Sequence, residues 1–174
     1  MSRPQDDTGL SGLNAAPAEE AKARLLRCCG SHRWAEQLTA ARPFPDRAAL
    51  FAAASRIWNE VGREDWLEAF SHHPRIGDRK LESAGAGTKE WAKGEQAGMN
   101  RADENLRAAI AEGNAAYEAR YGRVYLVCAT GKSAGELLAI LQSRLGNDPD
   151  TELRIAAAEQ DKITRIRLEK LLSP

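Results

Sequence analysis

Two of the three histidines stand side by side where a helix is predicted to end. They are His72 and His73 in the stretch SHHPRIGDRK, and Pro74 follows directly. The proline ring forces the preceding residue out of the helical region, so His73 is expected at a corner of the fold. An imidazole exchanges protons near neutral pH, which makes His73 a candidate general acid or base. The structural alternative is a bond to the last helix carbonyls, the role expected of His72 at the surface.

A carboxylate and an amide form a second candidate pair, Glu95 and Gln96, within the stretch KEWAKGEQAGM. Helical spacing places Ala92 and Met99 beside them. The small flanking residues would allow a ligand to approach closely. The simpler interpretation is a solvated polar face on a surface helix.

A guanidinium falls on the apolar stripe of the last helix. The stripe consists of Leu153, Ala156, Ile163, Ile166 and Leu171, and it includes Gln160 and Arg167 but not Lys162 or Arg165. Burying an unpaired charge is costly, so Arg167 needs a partner. Either Glu159 pairs with it structurally, or it binds a polar or anionic ligand. Arg165 is predicted to be exposed to solvent.

The sequence shows no spacing typical of a metal or cofactor site. His72 and His73 are adjacent and therefore point in different directions, and CCGSH matches no zinc pattern. A Walker loop, a dinucleotide fingerprint and a nucleophile elbow are all absent. Cys128 is most simply a buried small hydrophobic residue, because a thiolate nucleophile would need a histidine or another cation nearby.

Composition favours a cytoplasmic globular protein. The 174 residues are 43% hydrophobic, and 25 basic side chains balance 25 acidic ones, which argues against a broad nucleic-acid-binding surface. No apolar run approaches the roughly 20 residues of a membrane span, and the N-terminal stretch lacks the apolar core of a secretory signal. Three cysteines, two of them adjacent, make a poor disulfide framework and indicate a reducing compartment.

The elements that would position these groups are predicted to be helices. Residues 1–12 are expected to be a flexible lead-in, and residues 13–174 a single all-α domain of about seven to nine helices. Helix starts are predicted at the capping residues Ser31, Asp46, Ser133 and Asp150. The run VYLVCA, residues 124–129, is compatible with either a strand or a buried helix segment.

Four motifs in this order resemble the OHCU decarboxylase family: HHPRIGD, WAKGEQAGM, NAAYEARYGRVYLVCATGKSAGELLAILQSRLGND and ELRIAAAEQDKITRIRLEKLL. The early CCGSHRWAEQL and ARPF also fit, so the resemblance extends from about Leu13 to Leu172. Members act on 2-oxo-4-hydroxy-4-carboxy-5-ureidoimidazoline (OHCU), the last intermediate between urate and S-allantoin. The resemblance implies an all-helical homodimer that needs no metal or organic cofactor.

The resemblance also assigns residues to the site. It implies that His73 is the proton donor, with Pro74 beside it, and that Glu95 takes part in catalysis. The implied substrate-binding residues are Pro74, Ala92, Glu95, Gln96, Tyr125, Leu126, Val127, Cys128, Ala129 and Arg167. Ala92 departs from the family, in which many members have a serine. The backbone groups of residues 126–129 are expected to bind the ureido group.

Two other interpretations compete with this one. A helical module without enzymatic activity would bind a partner helix in an apolar groove. A different cofactor-free enzyme acting on ureides or ring-opened purines is the nearer alternative. A buried group of His73, Glu95 and Arg167 would favour an enzyme over the groove-binding module.

Overall fold

The structure, a computed structural model, describes residues 7–77, 91, 94–95 and 97–173, and only the backbone of residues 100 and 101. Its helices are α1 (Thr8–Ala15), α2 (Ala18–Leu26), α3 (His32–Ala40), α4 (Arg47–Glu60), α5 (Arg63–Ser71), a 3-10 helix (Ala97–Arg101), α6 (Glu104–Tyr121), α7 (Ala134–Arg144) and α8 (Pro149–Leu172). Trp91, Gly94 and Glu95 are also helical. No described residue belongs to a β-strand. The predicted all-α architecture of seven to nine helices is confirmed.

Helix α1 corrects the predicted flexible lead-in, of which residues 1–6 lie outside the described part. Asp7 caps this helix by accepting a hydrogen bond from the N–H of Leu10 at 3.1 Å, and Leu10 and Leu13 are buried. Arg47 pairs with Asp7 and donates to the Leu172 carbonyl at 3.0 Å. Two buried leucines and a cap therefore hold residues 8–12 in a helix.

Capping side chains start the helices largely where the sequence predicted. Ser31, Asp46 and Ser133 each accept a hydrogen bond from the backbone N–H three residues further on, and Ser133 forms the full capping box. The last helix differs, because Asp148 accepts from Thr151 N–H at 3.0 Å in place of the predicted cap Asp150. Pro149 then occupies the first helical position, where its missing N–H costs nothing.

The chain divides into two compact units. The described residues up to Glu68, together with those from Ile163 onward, form the first unit, in which α3 packs between α2 and α4. Its core includes Trp34, whose indole N–H donates to the Ala54 carbonyl at 3.0 Å.

No helix among the described residues is both long enough and apolar enough to cross a membrane.

The second unit, Ala69–Lys162, is built on the packing of α6 against α7. Ile110, Tyr117, Tyr125 and Leu141 belong to its core, and all four are at most 1% exposed. Gly113 permits the close contact of the two helices, because a Cβ there would meet the Leu141 side chain at 2.6 Å. This unit contains all the described candidate residues except Arg167.

Candidate active site

The histidine corner lies where the sequence predicted it, at the end of α5. The N–H groups of His72 and His73 donate to the carbonyls of Ala69 (3.3 Å) and Phe70 (3.1 Å), which satisfies the last turn of the helix. His72 is exposed, as expected for a surface residue. His73 and Pro74 are partly buried.

The His73 imidazole is held by an amide that the sequence did not assign to the site. Its Nε2 lies 2.7 Å from Oε1 of Gln160, a fully buried residue of α8. The sequence had placed Gln160 on the apolar stripe without giving it a partner. A buried amide almost always has a hydrogen-bond partner, so its position on that stripe was an available signal.

Residues 124–129 form neither the strand nor the helix that the apolar pattern allowed. The segment is irregular, and Tyr125, Leu126, Val127, Cys128 and Ala129 are each 1–6% exposed. Buried backbone outside regular structure needs hydrogen-bond partners from elsewhere in the fold. Charged side chains supply several of them.

Three charged residues hold the backbone of this segment. Arg144 donates to the Leu126 carbonyl at 2.6 Å, and Lys132 donates to the Cys128 carbonyl at 2.8 Å. Glu159 accepts from the Cys128 N–H at 2.7 Å. The Leu126 and Cys128 carbonyls and the Cys128 N–H are therefore already engaged within the protein.

Several backbone N–H groups of the segment donate to no acceptor among the described residues. They include those of Val127 and Ala129, which lie next to groups that the charged side chains already hold. A ligand in contact with this segment would therefore meet backbone donors there.

The Tyr125 side chain belongs to the core. Its hydroxyl donates to the Leu137 carbonyl at 3.4 Å, and the Arg144 guanidinium lies 4.9 Å from its ring centroid. Burial raises the pKa of this phenol well above its ordinary value. A contact between Tyr125 and substrate would therefore have to involve its backbone.

Two carboxylates act on the thiol of Cys128. Burial raises the pKa of the Cys128 thiol, the Lys132 ammonium opposes that rise, and the charges of Glu159 and Glu95 add to it. Glu95 is only 8% exposed, so the alternative of a solvated polar face is wrong for this residue. A thiol whose pKa is raised is poorly suited to nucleophilic attack, which favours the inert role predicted for Cys128. Ala92 and Gln96 lie outside the described residues.

Helix α8 links the two parts of this site. Its adjacent residues Glu159 and Gln160 hold the Cys128 N–H and the His73 imidazole respectively. Glu159 also pairs with Lys162 at 2.5 Å. The second unit thus contains the His73 imidazole, a buried carboxylate at Glu95 and a backbone segment held by charged side chains, groups of the kind that transfer protons on a bound polar molecule.

Arg167 belongs to the first unit, where it is 5% exposed. Burial raises the pKa of the Cys28 thiol to about 12, and the positive charge of Arg167 opposes that rise. The Arg165 side chain is 62% exposed, pairs with Glu169 at 3.5 Å and lies over the Phe51 ring. The predicted faces of the two arginines are confirmed.

No three His, Cys, Asp or Glu side chains within the described ranges are grouped so that they could hold a metal ion. The polar groups of the candidate site are the His73 imidazole, the Gln160 amide, the Glu159 carboxylate and the Lys132 ammonium. These are groups that move protons and bind polar atoms.

Comparisons with known proteins agree on one family. The model of the OHCU decarboxylase family matches residues 14–169. The uric acid degradation bifunctional protein TTL of Arabidopsis thaliana is 36% identical over 147 residues, which are 84% of this chain and 45% of that protein. The 2-oxo-4-hydroxy-4-carboxy-5-ureidoimidazoline decarboxylase of Amia calva is 31% identical over 134 residues, 75% of either chain.

A solved structure is also similar. The crystal structure of an OHCU decarboxylase in the presence of (S)-allantoin superimposes with a TM-score of 0.73 at 34% identity. The match covers 91% of this chain and all of that one. By contrast, the chain spans less than half the length of the bifunctional plant relative.

Proposed function

Because the chain belongs to the OHCU decarboxylase family, we propose that it converts OHCU to S-(+)-allantoin in the breakdown of urate. The observation that carries the proposal is the partly buried imidazole of His73, which a fully buried amide holds at the corner before Pro74. The same position carries the proton donor in the family pattern. A carboxy-lyase of this kind needs a placed proton donor and a site that binds a ring.

The reaction balances without an external electron acceptor. The bond from ring carbon 4 to the carboxylate breaks and releases carbon dioxide. Its electron pair forms the C4–C5 double bond, while the electrons of the ring C=N move to nitrogen, which takes up a proton. The resulting enol loses its hydroxyl proton and gains one at C5, the carbon that bears the ureido group. One proton is consumed overall, and its delivery to one face of C5 sets the configuration of allantoin.

His73 is the donor that delivers the proton to C5. Glu95 hydrogen-bonds the 4-hydroxyl of the substrate, and its burial keeps that contact away from bulk water. The backbone N–H groups of Val127 and Ala129 donate to the ureido oxygen. Gln96, next to Glu95 in the sequence, binds a polar atom of the ring.

Arg167 binds ring or ureido oxygens in this proposal. A tight salt bridge to the departing carboxylate would stabilise the charge that has to be lost, and would thus slow the reaction. The planar guanidinium suits two neighbouring oxygens better than the ammonium of a lysine does. Burial of Arg167 at 5% exposure gives its charge a strong interaction with a polar ligand.

The remaining assignments follow the family pattern. We propose that the protein is a homodimer in the cytoplasm and that it needs no metal or organic cofactor. Turnover should therefore be unchanged after exhaustive chelation. Loss of activity with the chelator, and its recovery on return of one particular metal ion, would contradict this assignment.

The proposal is tested by adding the protein to freshly prepared OHCU. Carbon dioxide release and the circular dichroism of the product are followed together, with a sample without protein as the control. We expect rapid, stoichiometric carbon dioxide release and S-(+)-allantoin. Racemic allantoin formed at the uncatalysed rate would contradict the proposed function.

A further inference from the structure

The contact between His73 and Gln160 determines which imidazole nitrogen carries hydrogen. The amide oxygen of Gln160 lies 2.7 Å from Nε2, and an amide oxygen can only accept a hydrogen bond. Nε2 must therefore be the N–H nitrogen. A neutral imidazole has a single N–H, so Nδ1 keeps its lone pair.

We infer that Gln160 is a positioning residue that fixes the Nε2–H tautomer of His73, so that Nδ1 is the nitrogen that exchanges the proton with substrate. The identity of the substrate in this inference rests on the proposed function. The tautomer of His73 does not, because it follows from the contact with Gln160. Gln160 is fully buried on α8 and has little freedom to move away.

An amide serves this purpose better than a carboxylate. A carboxylate beside the ring would favour the imidazolium and make it a weaker acid, whereas an amide orients the ring without adding charge. Burial of a neutral, hydrogen-bonded amide also avoids the desolvation cost of a buried charge.

The proton balance of the cycle follows from this tautomer. The imidazolium carries hydrogen on both nitrogens, and the Nδ1 proton passes to C5 of the enol. His73 returns to the neutral Nε2–H form, still bonded to Gln160. Nδ1 then takes up a proton from solvent, which supplies the one proton that each turnover consumes.

The tautomer can be measured on the unmodified protein by NMR of 15N-labelled imidazole rings. The chain has only three histidines, and His73→Asn assigns the signal of interest by its loss. His32 is an internal control, because its Nδ1 lies 2.6 Å from the Glu68 carboxylate and should carry the hydrogen there. We expect neutral His73 as Nε2–H and neutral His32 as Nδ1–H. Neutral His73 found as Nδ1–H would overturn the inference.

Two substitutions test the catalytic consequence. Gln160→Glu keeps an acceptor but adds a charge, so the His73-dependent limb of the kcat profile should move up by about 1–2 pH units. Gln160→Met removes the acceptor and should lower kcat with little change in KM. A purely structural role would alter stability and leave the pH profile in place, so an unshifted profile in a folded Gln160→Glu protein counts against the inference.

These measurements separate the inference from the proposed function. If the parent protein forms no allantoin, the proposed function fails whatever the NMR shows. If the parent is active and neutral His73 is the Nδ1–H tautomer, only the role of Gln160 fails. The NMR measurement decides the tautomer even if both variants at position 160 do not fold.

Discussion

Substituting Arg144 should destabilise the protein. It should also loosen the segment of residues 124–129, because Arg144 binds the Leu126 carbonyl in that segment. Arg144 donates through Nε to Glu152 at 2.8 Å and through Nη1 to the Leu126 carbonyl at 2.6 Å. The side chains of Arg144 and Glu152 are 6% and 0% exposed. Tyr117 and Asn147 also donate to Glu152, at 2.6 and 2.9 Å, and neither carries a positive charge. Arg144→Met would therefore leave a buried carboxylate without its cation.

The cost of removing one member of a buried ion pair is about 3–5 kcal/mol. For a chain of this length that corresponds to a fall in Tm of roughly 6–20 °C. Urea unfolding followed by far-UV circular dichroism measures the free energy of unfolding of Arg144→Met. Arg154→Met is the matched control, because Arg154 is exposed and should change stability by no more than about 0.5 kcal/mol.

A double substitution tests the reason for that loss. Arg144→Met together with Glu152→Met removes the stranded carboxylate and should destabilise less than the sum of the two single changes. If Arg144→Met alone lowers the free energy of unfolding by less than about 1 kcal/mol, the reasoning is refuted, because removing one member of a buried ion pair should cost more than that. Strict additivity of the two substitutions would also count against it.

The other predictions concern single positions. Gly98→Ala should cost about 1–3 kcal/mol, because a Cβ there would collide with the Lys132 carbonyl. A Cβ at Gly94 meets no atom of the described residues within 4 Å, so thermal unfolding compares Gly98→Ala with Gly94→Ala. Arg167→Ala and Arg167→Lys should raise KM or lower kcat, while Arg165→Ala stays within about 1 kcal/mol of the parent in stability and keeps its kinetics. Normal turnover by Arg167→Ala would contradict that assignment. Cys128 should resist alkylation near neutral pH until the protein unfolds, because burial raises its pKa; rapid modification of the folded protein would refute this.

Local signals predicted the helix ends and the histidine corner well. Asp46 and Ser133 cap the helices as expected because a cap depends on residues only three positions apart. Pro74 constrains His73 through a contact with its direct neighbour. The faces of Arg165 and Arg167 follow from helical periodicity alone.

The features that were missed depend on contacts between distant residues or on short segments. Gln160 meets His73 across 87 positions of the chain, and no local pattern indicates that pairing. The apolar run at residues 124–129 has the composition of a strand, but side-chain hydrogen bonds from Arg144 and Glu159 hold it irregular. Helix α1 has only eight residues, too few for its periodicity to stand out. Asp148 and Asp150 both suit a cap, and the proline between them favours the first.

The most direct test of the account compares His73→Asn with His72→Asn in a single assay. Both substitutions remove an imidazole at neighbouring positions, but only His73 contacts Gln160, and His72 is exposed. Formation of S-(+)-allantoin from fresh OHCU is followed by circular dichroism, after far-UV spectra have shown that both variants fold. The account predicts that His73→Asn loses about 10²–10⁴-fold in rate and that His72→Asn keeps the parent rate. A parent-like rate for His73→Asn, or an equal loss for His72→Asn, would contradict it.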